Sequence, residues 1–288
     1  MDSLLAIDVG GTKIAAGLVT LHGELVARSV RPTPREGTAE EVLAALLEAV
    51  AEVREGDEVA CGVGCGGPMR RGGEAVSPLN IPGWRDFPLR ARLEDGLGLR
   101  VLIDNDAKAL ALGEGWQGAA QGVDSYLAMV VSTGVGGGIV LDGRLLDGDE
   151  SNAGHVGHVI VEPDGRRCPC GAQGCLEAEA SGTAIAARTG APAAEASAAE
   201  RARCGRLVGR AVASVVALLD LHLVLVGGSV ALGYGDAFFV AAQQELTERA
   251  RIGFADGARI QPVGLGDEGP LVGAAAVARH GLGLATPA

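Results

Sequence analysis

A polar, glycine-rich turn between two apolar runs occurs twice in this chain, about 120 residues apart. The first copy reads Leu5-Ala6-Ile7-Asp8-Val9, then Gly10-Gly11-Thr12-Lys13, then Ile14 to Val19. The second reads Leu127 to Val131, then Ser132-Thr133-Gly134-Val135, then Gly136, Gly137 and Gly138 into Ile139 to Leu141. Each copy turns again at a glycine, Gly23 or Gly143. Glycine takes positive φ freely and has no side chain in the way, so such a turn brings backbone N–H groups close to an anion. Two of them facing each other can clamp a polyphosphate. Two ordinary hairpins would not account for the repetition, with Asp8 in one copy and Ser132 and Thr133 in the other. The length allows two lobes sharing a cleft, which suits a duplication.

Between these markers, strand and helix signals alternate. Leu4–Val9 opens a meander that ends near Val30, residues 39–53 carry helical spacing of apolar residues, and Val59–Gly64 reads as a buried strand. The run Gly64–Trp84 reads as loop, because Gly66, Gly67, Pro68, Asn80, Pro82 and Gly83 are too many breakers for a regular element. Leu99–Ile103 is another strand. It ends in Asp104, Asn105 and Asp106 ahead of a helix over 107–116, and helix capping explains one of these three polar residues but not all. The most apolar stretch, Ala211–Val226, is interrupted by Asp220 and His222 and is short for a membrane span. It reads as a buried helix feeding strand Leu223–Val226. Gly227, Gly228 and Ser229 then form a third glycine turn, bare enough for an adenine ring to pack on.

The net charge of −12 and a pI near 4.9 argue against DNA, RNA or an anionic membrane as partner and point to a small molecule. Lys13, in the first turn, is one of only two lysines; Lys108 is the other. The first strand begins within a few residues of the amino terminus, with no signal-peptide pattern, so a cytoplasmic location is expected.

The most specific chemistry follows the second turn. His155 and His158 precede Cys168, Cys170 and Cys175, with Pro169, Gly171 and Gly174 bending the chain between them, and these are half of the six cysteines. In a cytoplasmic protein such clustering favours a metal site over disulfides, and one His with three Cys satisfies tetrahedral zinc. Spacing alone leaves open which histidine binds. Cys61, Cys65 and Cys204 are scattered and read as small buried residues.

Taken together, these residues resemble the ROK family of repressors, open reading frames and sugar kinases, within the actin-like (ribonuclease H-like) superfamily. The resemblance covers nearly the whole chain. It runs through Asp8 to Lys13, Asn80 to Trp84, Asn105 to Ala107, Ser132 to Gly138, Gly154 to His158, Cys168 to Glu177 with Ser181 and Gly182, Gly227 with Gly228, and Gly269 to Ala275.

The resemblance implies a two-lobed α/β fold with an interlobe cleft. The first lobe is expected over residues 1–104, the second over 105–270, and a last helix near 271–284 returns to the first. It implies ATP phosphates on Gly10, Gly11, Thr12 and Lys13 and on Ser132, Thr133, Gly134 and Val135, with Gly227 and Gly228 also at the nucleotide. Asp106 is then the catalytic base, Asp8 orients Mg2+ through water, and His158, Cys168, Cys170 and Cys175 hold a structural Zn2+. Sugar ligands carry over to Gly67, Asn80, Asn105, Asp106, His158 and Glu177, with His155 at one further position.

The activity so implied is transfer of the γ-phosphoryl group of ATP to the 6-hydroxyl of a hexose, glucose first. N-acetylmannosamine or another N-acetylhexosamine is the alternative, because glucokinase-like members usually have glutamate where this chain has His155, whereas some N-acetylmannosamine kinases have histidine. Ser132 stands where the family usually has glycine and still supplies a hydroxyl. A sugar-sensing repressor is disfavoured by the seven residues ahead of Asp8, and a sugar-binding protein without catalysis by the intact Asp106 and both turns. A homodimer is expected from the family.

Overall fold

A computed structural model describes residues 2–284. By their internal contacts the residues fall into two compact units. One comprises the chain up to Gln121, the segment Asp147–Ala153 and the chain from Gly264 onward; the other comprises Gly122–Leu146 and Gly154–Val263.

The first unit holds β1 (Ser3–Val9), β2 (Lys13–Thr20), β3 (Leu25–Pro32), α1 (Ala39–Ala51), β4 (Ala60–Cys65), α2 (Leu89–Leu97), β5 (Val101–Asn105) and α3 (Asp106–Gln117). The second holds β6 (Tyr126–Val131), β7 (Val135–Leu141), β8 (Arg144–Leu145), α4 (Leu176–Ala180), α5 (Gly182–Thr189), α6 (Ala198–Leu219), β9 (Leu223–Gly227), α7 (Ser229–Tyr234), α8 (Asp236–Arg249) and β10 (Arg259–Pro262). The last helix, α9 (Gly269–Gly281), belongs to the first unit.

The duplication in the sequence is a duplication of topology. The sheets run β3-β2-β1-β4-β5 and β8-β7-β6-β9-β10. In each, an antiparallel meander joins a parallel half, β1 with β4 and β5, or β6 with β9 and β10. Parallel strands need cover on both faces, and β1 meets that need: Leu5, Ile7 and Val9 pack with Leu43 and Leu46 of α1, while Leu4 and Ala6 pack with Leu271 and Ala275 of α9. Each such large apolar side chain contributes roughly 1.5–3 kcal/mol by leaving water. Gly62 permits the approach of α9, since a Cβ there would lie 1.9 Å from the Ala274 carbonyl oxygen.

Local signals set the helices. Thr38 and Glu41 form a reciprocal capping box ahead of α1, whose apolar stripe is Val42, Leu46, Ala49 and Val50. In the second unit α6 packs on α8, and Gly205 and Gly209 let the backbone at Phe238 and Ala242 come close.

Three differences from the sequence reading have physical causes. The first unit extends to Gln121 rather than ending near residue 104, because α3 packs on α9, β4 and β5. Strands β4 and β5 run further than their apolar cores, since Gly64 pairs with Asp104 and Cys65 with Asn105. The run expected as loop, Gly64–Trp84, begins inside β4 and includes a short 3-10 turn at Arg71–Gly73, and the irregular chain from 66 to 88 is well tied. The Arg85 guanidinium donates to the carbonyls of Pro78, Ile81 and Trp84, and Trp84 is fully buried, stacked on Phe87 at 4.8 Å. Among the described residues no helix is long and apolar enough to cross a membrane.

Candidate active site and metal centre

In the first unit the parallel strands end in step. Val9 pairs with Cys65 and Cys65 with Asn105, so the turn after β1, the loop after β4 and the start of α3 share one edge of the sheet. The carboxyl ends of parallel strands are where α/β proteins bind ligands. Here they gather Asp8, Gly10 to Lys13, Gly67, Asn80, Asn105 and Asp106.

Close contacts hold the cluster together. A Cβ at Gly64 would lie 3.8 Å from Asp8 Oδ1 and 3.7 Å from Asp106 Cα; at Gly11 it would strike the Asn80 side chain at 2.6 Å. At Gly67 it would lie 3.6 Å from Asn105 Nδ2. Glycine at 11 is therefore a packing requirement that brings the first turn against Asn80. Thr33 Oγ1 donates to the Gly10 carbonyl at 2.7 Å, and the Gly10 N–H closes the turn onto the Lys13 carbonyl at 3.0 Å.

The three polar residues at the end of β5 and the start of α3 have separate contacts. Asp104 accepts from the Asn105 N–H at 2.7 Å and faces Lys108 Nζ at 3.1 Å. Asn105 caps α3, its Oδ1 accepting from the Ala107 N–H at 3.0 Å, which directs its amide nitrogen towards Gly67. Asp106 opens the helix, is exposed, and accepts from the same N–H at 2.9 Å. Burial, and then the Asp106 carboxylate, push the Asp8 carboxyl up to about 7, against the opposing pull of Lys13 and Arg28.

In the second unit the turn Ser132–Gly134 links β6 to β7 and is held from several sides. Ser132 Oγ lies 2.9 Å from Ser229 Oγ, the Gly182 N–H donates to the Ser132 carbonyl at 2.7 Å, and Thr183 Oγ1 donates to the Thr133 carbonyl at 2.9 Å. Glu177 Oε2 accepts from the Val135 N–H at 2.9 Å. That carboxylate thus braces the second turn, a contact the sequence did not reveal. Gly228, at φ 94°, would place a Cβ 2.4 Å from the Val131 carbonyl oxygen, so the chain leaving β9 at Gly227 and Gly228 presses against this turn. Ser229 was read only as part of the third glycine turn, and Thr183 went unnoticed in the sequence. The only signal for Thr183 was its position beside Ser181 and Gly182.

His155 precedes and His158 closes a short 3-10 turn over Val156–His158, their rings 5.9 Å apart. That turn lies on β7 because Gly154 and Gly157 leave room for its backbone: a Cβ at either would come within 2.3 Å of a β7 carbonyl oxygen. The question that spacing left open is resolved by geometry. One ligand atom each from His158, Cys168, Cys170 and Cys175 fall within 4.8 Å of one another. His158 Nδ1 is 3.7 Å from Cys168 Sγ, and Cys170 Sγ is 3.8 Å from Cys175 Sγ. A tetrahedron with Zn–S bonds near 2.3 Å has edges of about 3.8 Å. The donor set and its spacing therefore fit zinc.

The sequence model of the ROK family matches residues 4–280. The chain is similar to a glucokinase of Thermotoga maritima, 42% identical over 63% of this chain and 58% of the relative's length. It is similar to an N-acetylmannosamine kinase of Yersinia pseudotuberculosis, 38% identical over 85% of this chain and 89% of the other. Among solved structures, a ROK family glucokinase from Streptomyces griseus in complex with glucose and AMPPNP superposes with a TM-score of 0.84, at 32% identity over 96% of this chain and 99% of the other.

Proposed function

The chain belongs to the ROK family, and from that premise we propose that it transfers the γ-phosphoryl group of ATP to the 6-hydroxyl of a hexose, with glucose as the acceptor. The observation that carries this reading is the convergence of Asp8, Asn80, Asn105 and Asp106 beside the first glycine turn. It supplies a base, a magnesium anchor and acceptor ligands at one sheet edge.

Phosphoryl transfer depends chiefly on positioning and charge stabilisation. Asp106 takes the proton of the sugar hydroxyl, its carboxylate aimed by the Ala107 N–H. Asn105, its oxygen committed to the helix cap, offers its amide nitrogen to a sugar oxygen, and Asn80 and Gly67 flank it. The turns Gly10–Lys13 and Ser132–Val135 hold phosphates, with the Lys13 ammonium in the first and the hydroxyls of Ser132 and Thr133 in the second. Magnesium arriving with ATP supplies charge neutralisation, and Asp8 is the residue that would orient it. Zinc on His158, Cys168, Cys170 and Cys175 would supply a rigid crosslink for the segment presenting His155, away from the reacting atoms. Glu177 binds the sugar while bracing the second turn.

The second reading, an N-acetylhexosamine acceptor, is favoured by His155. A neutral imidazole offers one donor and one acceptor where a carboxylate accepts twice, which alters the match to neighbouring hydroxyls. A coupled ADP-release assay over hexoses and N-acetylhexosamines distinguishes the two. On the glucose reading, kcat/KM is highest for glucose. On the alternative it is highest for an N-acetylhexosamine, and His155→Glu shifts the ratio towards glucose by about 5- to 150-fold. A ratio unmoved within about 2-fold removes His155 as the discriminating residue.

A further inference from the structure

Among the described residues Lys108 is the largest charged side chain that is almost wholly withdrawn from solvent, 1% exposed. Its ammonium lies 2.5 Å from Asp147 Oδ1, 3.1 Å from Asp104 Oδ1 and 3.4 Å from the Ser151 carbonyl oxygen. Asp147 and Ser151 sit in the segment Asp147–Ala153, which belongs to the first unit although β8 before it and Gly154 after it belong to the second. The segment is a closed loop: the Ala153 N–H donates to the Asp147 carbonyl at 2.9 Å, and Gly148 and Ser151 both take positive φ. Lys108 reaches both its first residue and its bend. The next residues along the chain are Gly154 and His155.

A buried ion pair of this kind adds little stability over a well-packed apolar side chain, because desolvation offsets most of the Coulomb gain. What it adds is a defined position. We propose that Lys108 is a positioning residue, which pins the loop 147–153 to α3 and so fixes where the chain departs towards His155, tuning affinity for the sugar acceptor. This rests on the kinase reading given above. Burial raises the Asp104 carboxyl and the Lys108 charge opposes that rise, two residues before Asp106.

Two changes test this. Asp147→Ala removes a half-exposed partner and leaves the buried ammonium paired with Asp104. Lys108→Met combined with Asp104→Asn removes the ammonium without leaving a buried carboxylate unpaired. Both are expected to raise the acceptor KM by about 10-fold while the ATP KM stays within about 2-fold, whatever their melting temperatures. Amide exchange over residues 147–155 of the ligand-free protein accelerates in both. An acceptor KM within about 2-fold of wild type in Asp147→Ala, or acceptor and ATP KM rising together, overturns the proposal. Should the wild type phosphorylate no sugar, the kinase reading fails on its own, and the exchange measurement still decides whether Lys108 holds the loop.

Discussion

Asp8 and Asp106 are neighbouring carboxylates in unlike surroundings, the first mostly buried and the second exposed. Asp106 stands exposed at the start of α3, where it can meet a hydroxyl. Replacing it by asparagine keeps the N-terminal hydrogen bond but removes the base, so kcat should fall by roughly 10²–10⁴ with sugar binding retained; turnover near wild type would remove Asp106 from the mechanism. Asp8 is held back by burial and by the charge of Asp106, and its carboxyl is pushed up to about 7. In the fold it therefore keeps a proton that the unfolded chain releases near pH 4. The associated stability is fully present below that value and is lost as pH rises through about 7. Metal-free protein should thus melt lower at pH 8 than at pH 5.5, and Mg2+ with nucleotide should narrow the gap by favouring ionised Asp8. A melting temperature flat across that range contradicts the assignment. The sequence exposed the cluster Asp104, Asn105 and Asp106 but not its division of labour, because the partner that occupies Asp104 is Lys108, and the second partner of Lys108 lies in a distant loop.

At the level of elements, the segment from Gly154 to Cys175 is seated by glycines that admit β7, and His158, Cys168, Cys170 and Cys175 converge within it at a spacing that fits a metal. Elemental analysis should return about one zinc per chain, and Cys170→Ala should lose both the metal and affinity for the acceptor, because the segment carrying His155 slackens. Zinc-free protein with an unchanged acceptor KM would separate the metal from the sugar site. The cluster of His158 with the three cysteines and both glycine turns were legible in the sequence, since each depends on residues close together in the chain. Strand ends were less so. Asp104 and Asn105 belong to β5 through backbone pairing with Gly64 and Cys65, and polar side chains at a sheet edge read locally as loop. The brace between Glu177 and Val135 was invisible for a related reason: only the folded chain joins α4 to the second turn.

For the whole molecule, the repeated turn pointed to two α/β lobes, and the structure adds that their two sheets share one strand order. The composition of the units was harder to read. The first unit gathers three separate stretches of chain, and packing of α3 and α9, rather than any break in composition, decides the boundary. The account stands on one claim, that this ROK protein moves a phosphoryl group from ATP to the 6-hydroxyl of a sugar using Asp106. The most direct test is phosphorus NMR of the products formed from MgATP and a sugar panel by wild type and by Asp106→Asn. The expected result is ADP and a hexose or N-acetylhexosamine 6-phosphate in equal amounts from wild type, with the variant slowed in proportion to its lost base. ATP consumed with release of inorganic phosphate alone, or a phosphate ester at another hydroxyl, would contradict it.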